Sequence, residues 1–120
     1  MASILLADDD AAVRDLVRRA LAGDGHTVHA TQDGQEASDY LDGNAASVDV
    51  LVTDVDMPQL DGVTLAGRAI ALKPALAVVL MSGFSDQLER VGDLKAARVA
   101  SIAKPFTLEQ IRQVVKSVLR

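Results

Sequence analysis

Four apolar runs in this chain each end on a residue able to do chemistry. Ser3-Ile4-Leu5-Leu6-Ala7 gives way to Asp8-Asp9-Asp10, and Val48-Asp49-Val50-Leu51-Val52-Thr53 to Asp54-Val55-Asp56-Met57-Pro58. Leu76 to Met81 stops at Ser82-Gly83, and Val99 to Ala103 at Lys104-Pro105. Carboxylates brought together repel one another unless a cation lies between them. A hard divalent cation with oxygen ligands resolves that repulsion, and Mg²⁺ prefers one or two carboxylates completed by water and a phosphate. A lysine and a hydroxyl on the other side of such a cation suit the holding of a phosphoryl group, whose transfer is mainly positioning and charge neutralisation. A carboxylate can itself be the nucleophile and form an acyl phosphate. Asp54 is the candidate, because its run offers it at the middle of the set.

That chemistry requires the chain to bring the run ends together. Val13, Leu16, Val17, Ala20 and Leu21 fall on one face of a helix that Asp10 can cap and Gly23-Asp24-Gly25 ends. His26 to Thr31 reads as a more polar strand at a sheet edge. Asp33-Gly34 turns into a helix through Ala37, Tyr40 and Leu41, stopped at Gly43-Asn44. Asp61 can cap a helix from Gly62 to about Leu72, closed by Lys73-Pro74. A weaker helical pattern holds Leu88, Val91 and Leu94 and is interrupted by Gly92. Thr107 and Gln110 form a capping box before a last helix with Leu108, Ile111, Val115, Val118 and Leu119 on one side. Strand and helix therefore alternate, which predicts an α/β fold, (βα)5, with a parallel sheet covered by helices on both faces. Right-handed crossovers then put the C-terminal ends of the strands on one edge, where ligands of open sheets bind.

Composition sets the outer limits. At 120 residues and 49% hydrophobic content, residues 1–120 are expected to form a single domain with its own core. Cysteine is absent, which fits a reducing compartment and excludes a thiolate metal site. The net charge is −5 with no block of Lys or Arg, which argues against direct nucleic-acid binding. No run is long enough to span a bilayer, and a cytoplasmic location without membrane insertion is expected.

Each residue also has a plainer role. Asp10 and Asp61 read first as helix caps, Ser82 as turn chemistry, Lys104 as a surface lysine, and His26 and His29 as solvent-facing strand residues. For Asp8, Asp9, Asp54, Ser82 and Lys104 together, at the ends of four strands, the plain roles give way to a shared site.

The segments Ile4-Leu5-Leu6-Ala7-Asp8-Asp9-Asp10, Thr53-Asp54-Val55-Asp56-Met57-Pro58-Gln59-Leu60-Asp61-Gly62, Met81-Ser82-Gly83 and Ala103-Lys104-Pro105-Phe106 resemble the receiver domain of two-component response regulators, the CheY-like superfamily. The resemblance spans nearly the whole chain. It implies a doubly wound, flavodoxin-like sheet of order 2-1-3-4-5. It implies that Asp54 is the phosphoacceptor, charged by a histidine kinase or a histidine phosphotransfer protein. It further implies Mg²⁺ held by Asp9, Asp54 and the Asp56 backbone carbonyl, with Asp8 assisting through water. Ser82 and Lys104 would contact the phosphoryl oxygens, and a cis bond is implied between Lys104 and Pro105. With no output domain after the last helix, a stand-alone receiver is expected. Among such receivers the 80–84 run and the 103–106 ending most resemble CpdR, an adaptor of regulated proteolysis.

The chain departs from the family pattern at Ser101, where an aromatic residue is usual, and at Ser82, where Thr is commoner. Asp56 adds a carboxylate beside the acceptor. In the family a downstream protein reads the surface of the fourth helix, fifth strand and fifth helix. With Ser101 in place of a ring, the signal is expected to run through Phe84 to Lys95. Two other readings compete. Asp54-Val55-Asp56 also resembles the nucleophile motif of haloacid-dehalogenase-type Mg-dependent phosphatases, although there the nucleophile strand comes first and the acid pair last. An interaction module that keeps only the fold would have no use for the full acidic set.

Overall fold

The computed structural model describes residues 2–83 and 98–119. Five strands form one parallel sheet: β1 (Ser3–Ala7), β2 (Thr27–Thr31), β3 (Val50–Asp54), β4 (Ala77–Ser82) and β5 (Arg98–Ala103). Their order is β2-β1-β3-β4-β5, as the resemblance implies. The helices are α1 (Ala11–Gly23), α2 (Gly34–Asn44), α3 (Gly62–Leu72) and α4 (Leu108–Leu119), with a short 3-10 turn at Ala45–Ser47. The helix expected around Leu88 to Leu94, with Phe84 and Gly92, lies outside the described residues. So does the expected route of the signal through 84–95.

The alternation of side chains along the inner strands decides what covers each face. Leu5, Leu51, Val78 and Leu80 point to one side and meet Ala37, Leu41, Val63, Leu65 and Ala66 of α2 and α3. Ile4, Leu6, Val50, Val52, Val79 and Met81 point to the other and meet Val17, Leu21, Ile111 and Val115 of α1 and α4. Buried on both faces, β3 and β4 are apolar almost throughout, as sequence analysis expected. Each fully buried leucine contributes about 2 kcal/mol by leaving water, so the inner strands are firmly anchored to both layers of helices.

Short polar side chains stop the chain and turn it. Asp10, Asp33 and Asp61 occupy the N-caps of α1, α2 and α3, and each accepts a backbone N–H of the first turn. Thr107 and Gln110 make the expected reciprocal box ahead of α4, at 2.8 and 3.1 Å. Every such cap stabilises its helix by about 1 kcal/mol. Two glycines permit close packing behind the site. A Cβ on Gly62 would overlap the Asp54 carbonyl, and one on Gly34 the Leu60 carbonyl. The loop between them is tight. Gln59 has φ 69° and the Leu60 N–H donates to the Pro58 carbonyl at 2.8 Å, the pattern of a strained γ-turn.

One expectation for the histidines fails. His29 is exposed and stacks on Tyr40 at 4.0 Å. His26 is half-buried instead of solvent-facing, because its Nδ1 accepts the Ala2 N–H at 3.1 Å and so ties the start of β1 to the turn before β2.

Candidate functional site

The strand register assembles the polar residues. Ala7 pairs with Thr53, so Asp8 and Asp54 each stand one step beyond a matched pair on neighbouring strands. Asp54 in turn pairs with Met81, and Ser82 with Ala103, which sets Lys104 just past the end of β5. Residues separated by most of the sequence thereby share one edge of the sheet.

Asp8 has no exposed surface and Asp54 only 6%, whereas Asp9 is exposed. Carboxylate oxygens of Asp8, Asp9 and Asp54 all lie within 4.8 Å of one another. The Lys104 ammonium reaches into this set, 3.1 Å from Asp8 Oδ2 and 3.4 Å from Asp54 Oδ1. The other Asp8 oxygen accepts the Asp10 N–H at 2.9 Å. Ser82 is buried at the end of β4, and its carbonyl accepts the Lys104 N–H at 2.8 Å. The Lys104–Pro105 peptide is cis, as expected. Asp56 is exposed, two positions beyond the acceptor, and its backbone N–H is bonded to the Asp54 carboxylate. Asp10 and Asp61 serve as caps and stay out of the cluster.

Burial and crowding set the protonation of the set. Burial chiefly, and then the charge of Asp8, push the Asp54 carboxyl up to about 6, against the pull of Lys104 and the Asp56 N–H. Burial likewise raises Asp8, against the Asp10 N–H and Lys104. Burial acts to lower the Lys104 ammonium, but the two carboxylates together outweigh it and its pKa ends above the ordinary value. One ammonium facing three clustered carboxylates leaves an excess of negative charge. Such a donor set fits a hard divalent cation with oxygen ligands.

Two features were not foreseen. Lys104 lies closer to Asp8, at 3.1 Å, than to Asp54, at 3.4 Å, whereas the resemblance assigns it to phosphoryl oxygens. Arg14, which belongs to no motif in the sequence, donates from Nη1 to the Asp8 carbonyl at 2.8 Å. Its position one helical turn after Asp10, on the side of the acidic run, was the available signal.

A parallel five-stranded sheet of this order, with an acidic edge faced by a lysine that stands just before a cis peptide, defines a receiver domain. The chain belongs to the response regulator receiver domain family, whose model matches residues 4–116. It is 36% identical over 117 residues to the response regulator MprA of Mycobacterium sp. (strain KMS), covering 98% of this chain and 50% of that protein. The chain thus spans about half the length of the first regulators it matches. Among solved structures, the receiver domain of the hybrid histidine kinase CckA superposes with a TM-score of 0.83 at 30% identity, covering 98% of this chain and 99% of that one. A response regulator receiver domain from Clostridium thermocellum superposes with a TM-score of 0.87 at 24% identity, covering 99% and 94%, and speaks to the fold alone. Receiver domains are signalling domains of two-component phosphorelays and work with histidine kinases or phosphotransfer proteins. That family, rather than the dehalogenase-type phosphatases, accounts for this chain. No helix among the described residues is long and apolar enough to cross a membrane.

Proposed function

We propose that residues 1–120 act as a receiver unit whose Asp54 accepts a phosphoryl group from a phosphohistidine on a histidine kinase or histidine phosphotransfer protein. The observation that carries this reading is the Asp54 carboxyl itself. It stands at the end of the central strand, almost buried, inside a set of carboxylates within 4.8 Å and with an ammonium 3.4 Å away. With a pKa near 6 it is largely ionised at neutral pH and able to act as a nucleophile.

In the transfer, an Asp54 oxygen bonds to phosphorus as the bond from phosphorus to the donor imidazole breaks. The imidazole leaves with the electron pair of that bond and takes up a proton. The product is an acyl phosphate on Asp54. Asp9, Asp54 and the Asp56 carbonyl would hold Mg²⁺, with Asp8 assisting, and the cation when bound would supply neutralisation of the charge on the phosphoryl oxygens. Lys104 moves from its shared position between Asp8 and Asp54 toward the new phosphoryl oxygens. The Ser82 hydroxyl donates to another. The reaction is confined to the protein's own phosphorylation and dephosphorylation, in the cytoplasm. The outcome is altered binding of a downstream protein at the surface that includes β5 and α4, with an adaptor role in proteolysis or signalling.

Incubation with a small-molecule phosphodonor and Mg²⁺, followed by intact-mass measurement, tests the reading. The wild type gains one phosphoryl group, and Asp54→Asn gains none. Equal labelling of the two proteins would remove Asp54 from the role.

A further inference from the structure

The members of the acidic set are held in different ways. The Asp8 carboxylate is fixed by the Asp10 N–H at 2.9 Å and by Lys104 at 3.1 Å. Asp54 is fixed by β3 and Lys104. The Asp9 carboxylate is exposed, and among the described residues no hydrogen bond or ion pair reaches it. Its place within 4.8 Å of the other two therefore comes from the backbone that carries it. That backbone is a turn of three residues, Asp8 to Asp10, between the end of β1 and the start of α1.

Arg14 controls the peptide at the centre of that turn. Its own N–H donates to the Asp10 carbonyl at 2.9 Å, and its guanidinium reaches back to the Asp8 carbonyl at 2.8 Å. The Asp8 carbonyl belongs to the peptide plane that joins Asp8 to Asp9. At the other end of Asp8 the N–H is held only by a longer bond, 3.3 Å to the Thr31 carbonyl. Fixing the Asp8–Asp9 plane fixes the line of the Asp9 N–Cα bond, and the Asp10 N–H, held by Asp8 Oδ1 at 2.9 Å, fixes the plane on the other side of Asp9, so the two together set the direction in which the Asp9 side chain leaves the backbone. A guanidinium anchored in helix α1 sets that plane more firmly than water would, because its fork is rigid and always charged.

We infer that Arg14 is the positioning residue for Asp9, holding its carboxylate toward the cation site through the Asp8 carbonyl. The inference rests on the proposed role of Asp9 as a Mg²⁺ ligand. It does not depend on whether Asp54 is phosphorylated.

The test is a Mg²⁺ titration of the full chain, followed by amide chemical shifts because the chain has no Trp. Arg14→Met keeps the length and helix propensity of the stem and removes the donor. It weakens Mg²⁺ binding about tenfold, as loss of an outer support to a metal ligand does. Arg14→Lys retains a charged donor and recovers most of that loss. Arg18→Ala controls for charge, since Arg18 lies on the same helix but pairs with Asp15 at 2.8 Å. Its affinity stays near that of the wild type. In an Asp9→Ala background, Arg14→Met causes no further loss. An unchanged affinity in Arg14→Met, an equal loss in Arg18→Ala, or additive losses with Asp9→Ala would each overturn the inference while leaving the phosphoacceptor reading intact. If Arg14→Met does not fold, the Lys variant decides: a loss in it as large as in Asp9→Ala overturns the inference. A wild type that takes up no Mg²⁺ would sink the ligand assignment and this inference together.

Discussion

The strand that ends in Asp54 and the strand that leads into Lys104 are built on opposite plans. β3 lies between β1 and β4, and all five of its residues are buried. β5 is an edge strand on which no residue is fully buried, and Ser101 faces solvent. The acceptor therefore sits on backbone that cannot shift without disturbing both faces of the core. The lysine follows a strand with a paired neighbour on one side only and no fully buried residue. The contrast fits the division of labour proposed above: a nucleophile held still at the centre, and a cation at the margin that changes partners.

Gly62→Ala is the strongest way to break that contrast, since it attacks the rigid side. The added Cβ would meet the Asp54 carbonyl, which is backbone and has no room to yield. A loss of about 3 kcal/mol is expected, in the range of severe overpacking, together with a weakened Mg²⁺ response. Denaturant unfolding measures the first and a thermal shift the second. An unaltered midpoint would mean that the backbone behind Asp54 is free to move.

The intermediate effect concerns charge at the rigid end. The folded pKa of Asp54 near 6 lies above the ordinary 3.8, so the folded state binds this proton more tightly than the unfolded chain. The associated stability is fully present below about pH 4 and is lost as pH rises through 6. In metal-free buffer the wild type should lose about 1–2 kcal/mol relative to Asp54→Asn between those limits. Parallel stability curves for the two proteins would show that Asp54 titrates as an ordinary surface carboxylate.

The smallest effect belongs to the edge. Ser101→Tyr restores the aromatic residue usual in the family at an exposed position, so stability should change by less than about 0.5 kcal/mol. A melting curve checks this. A large change in either direction would mean that β5 is as constrained as β3.

Much of this molecule was legible from pattern. The runs Ser3–Ala7, 48–53 and 76–81 read as strands because the inner strands of a parallel sheet have no polar face and show as near-continuous apolar stretches. Asp10, Asp33, Asp61 and Thr107 marked helix starts because an N-cap is a local bond between residues two or three positions apart. Convergence of Asp8, Asp9, Asp54 and Lys104 followed from the alternation of strand and helix together with the hand of the crossovers, and Ser82 ends its strand at the same edge. Other features depended on distances between elements, which periodicity does not carry. The ion pair of Lys104 with Asp8 depends on where the β5 edge lies relative to β1. The half-burial of His26 depends on the Ala2 N–H, which is distant in sequence.

By itself, then, the sequence determined the alternation of strand and helix, the caps, and the identity of the acidic edge, because these rest on local spacing and on the fixed hand of the chain. Only the tertiary structure decided which carboxylates are buried, which partner holds Lys104, and that Arg14 grips the turn before Asp9. Those outcomes depend on gaps of a few ångströms between elements packed from both sides of the sheet. No run of residue types, read in one dimension, specifies gaps of that size.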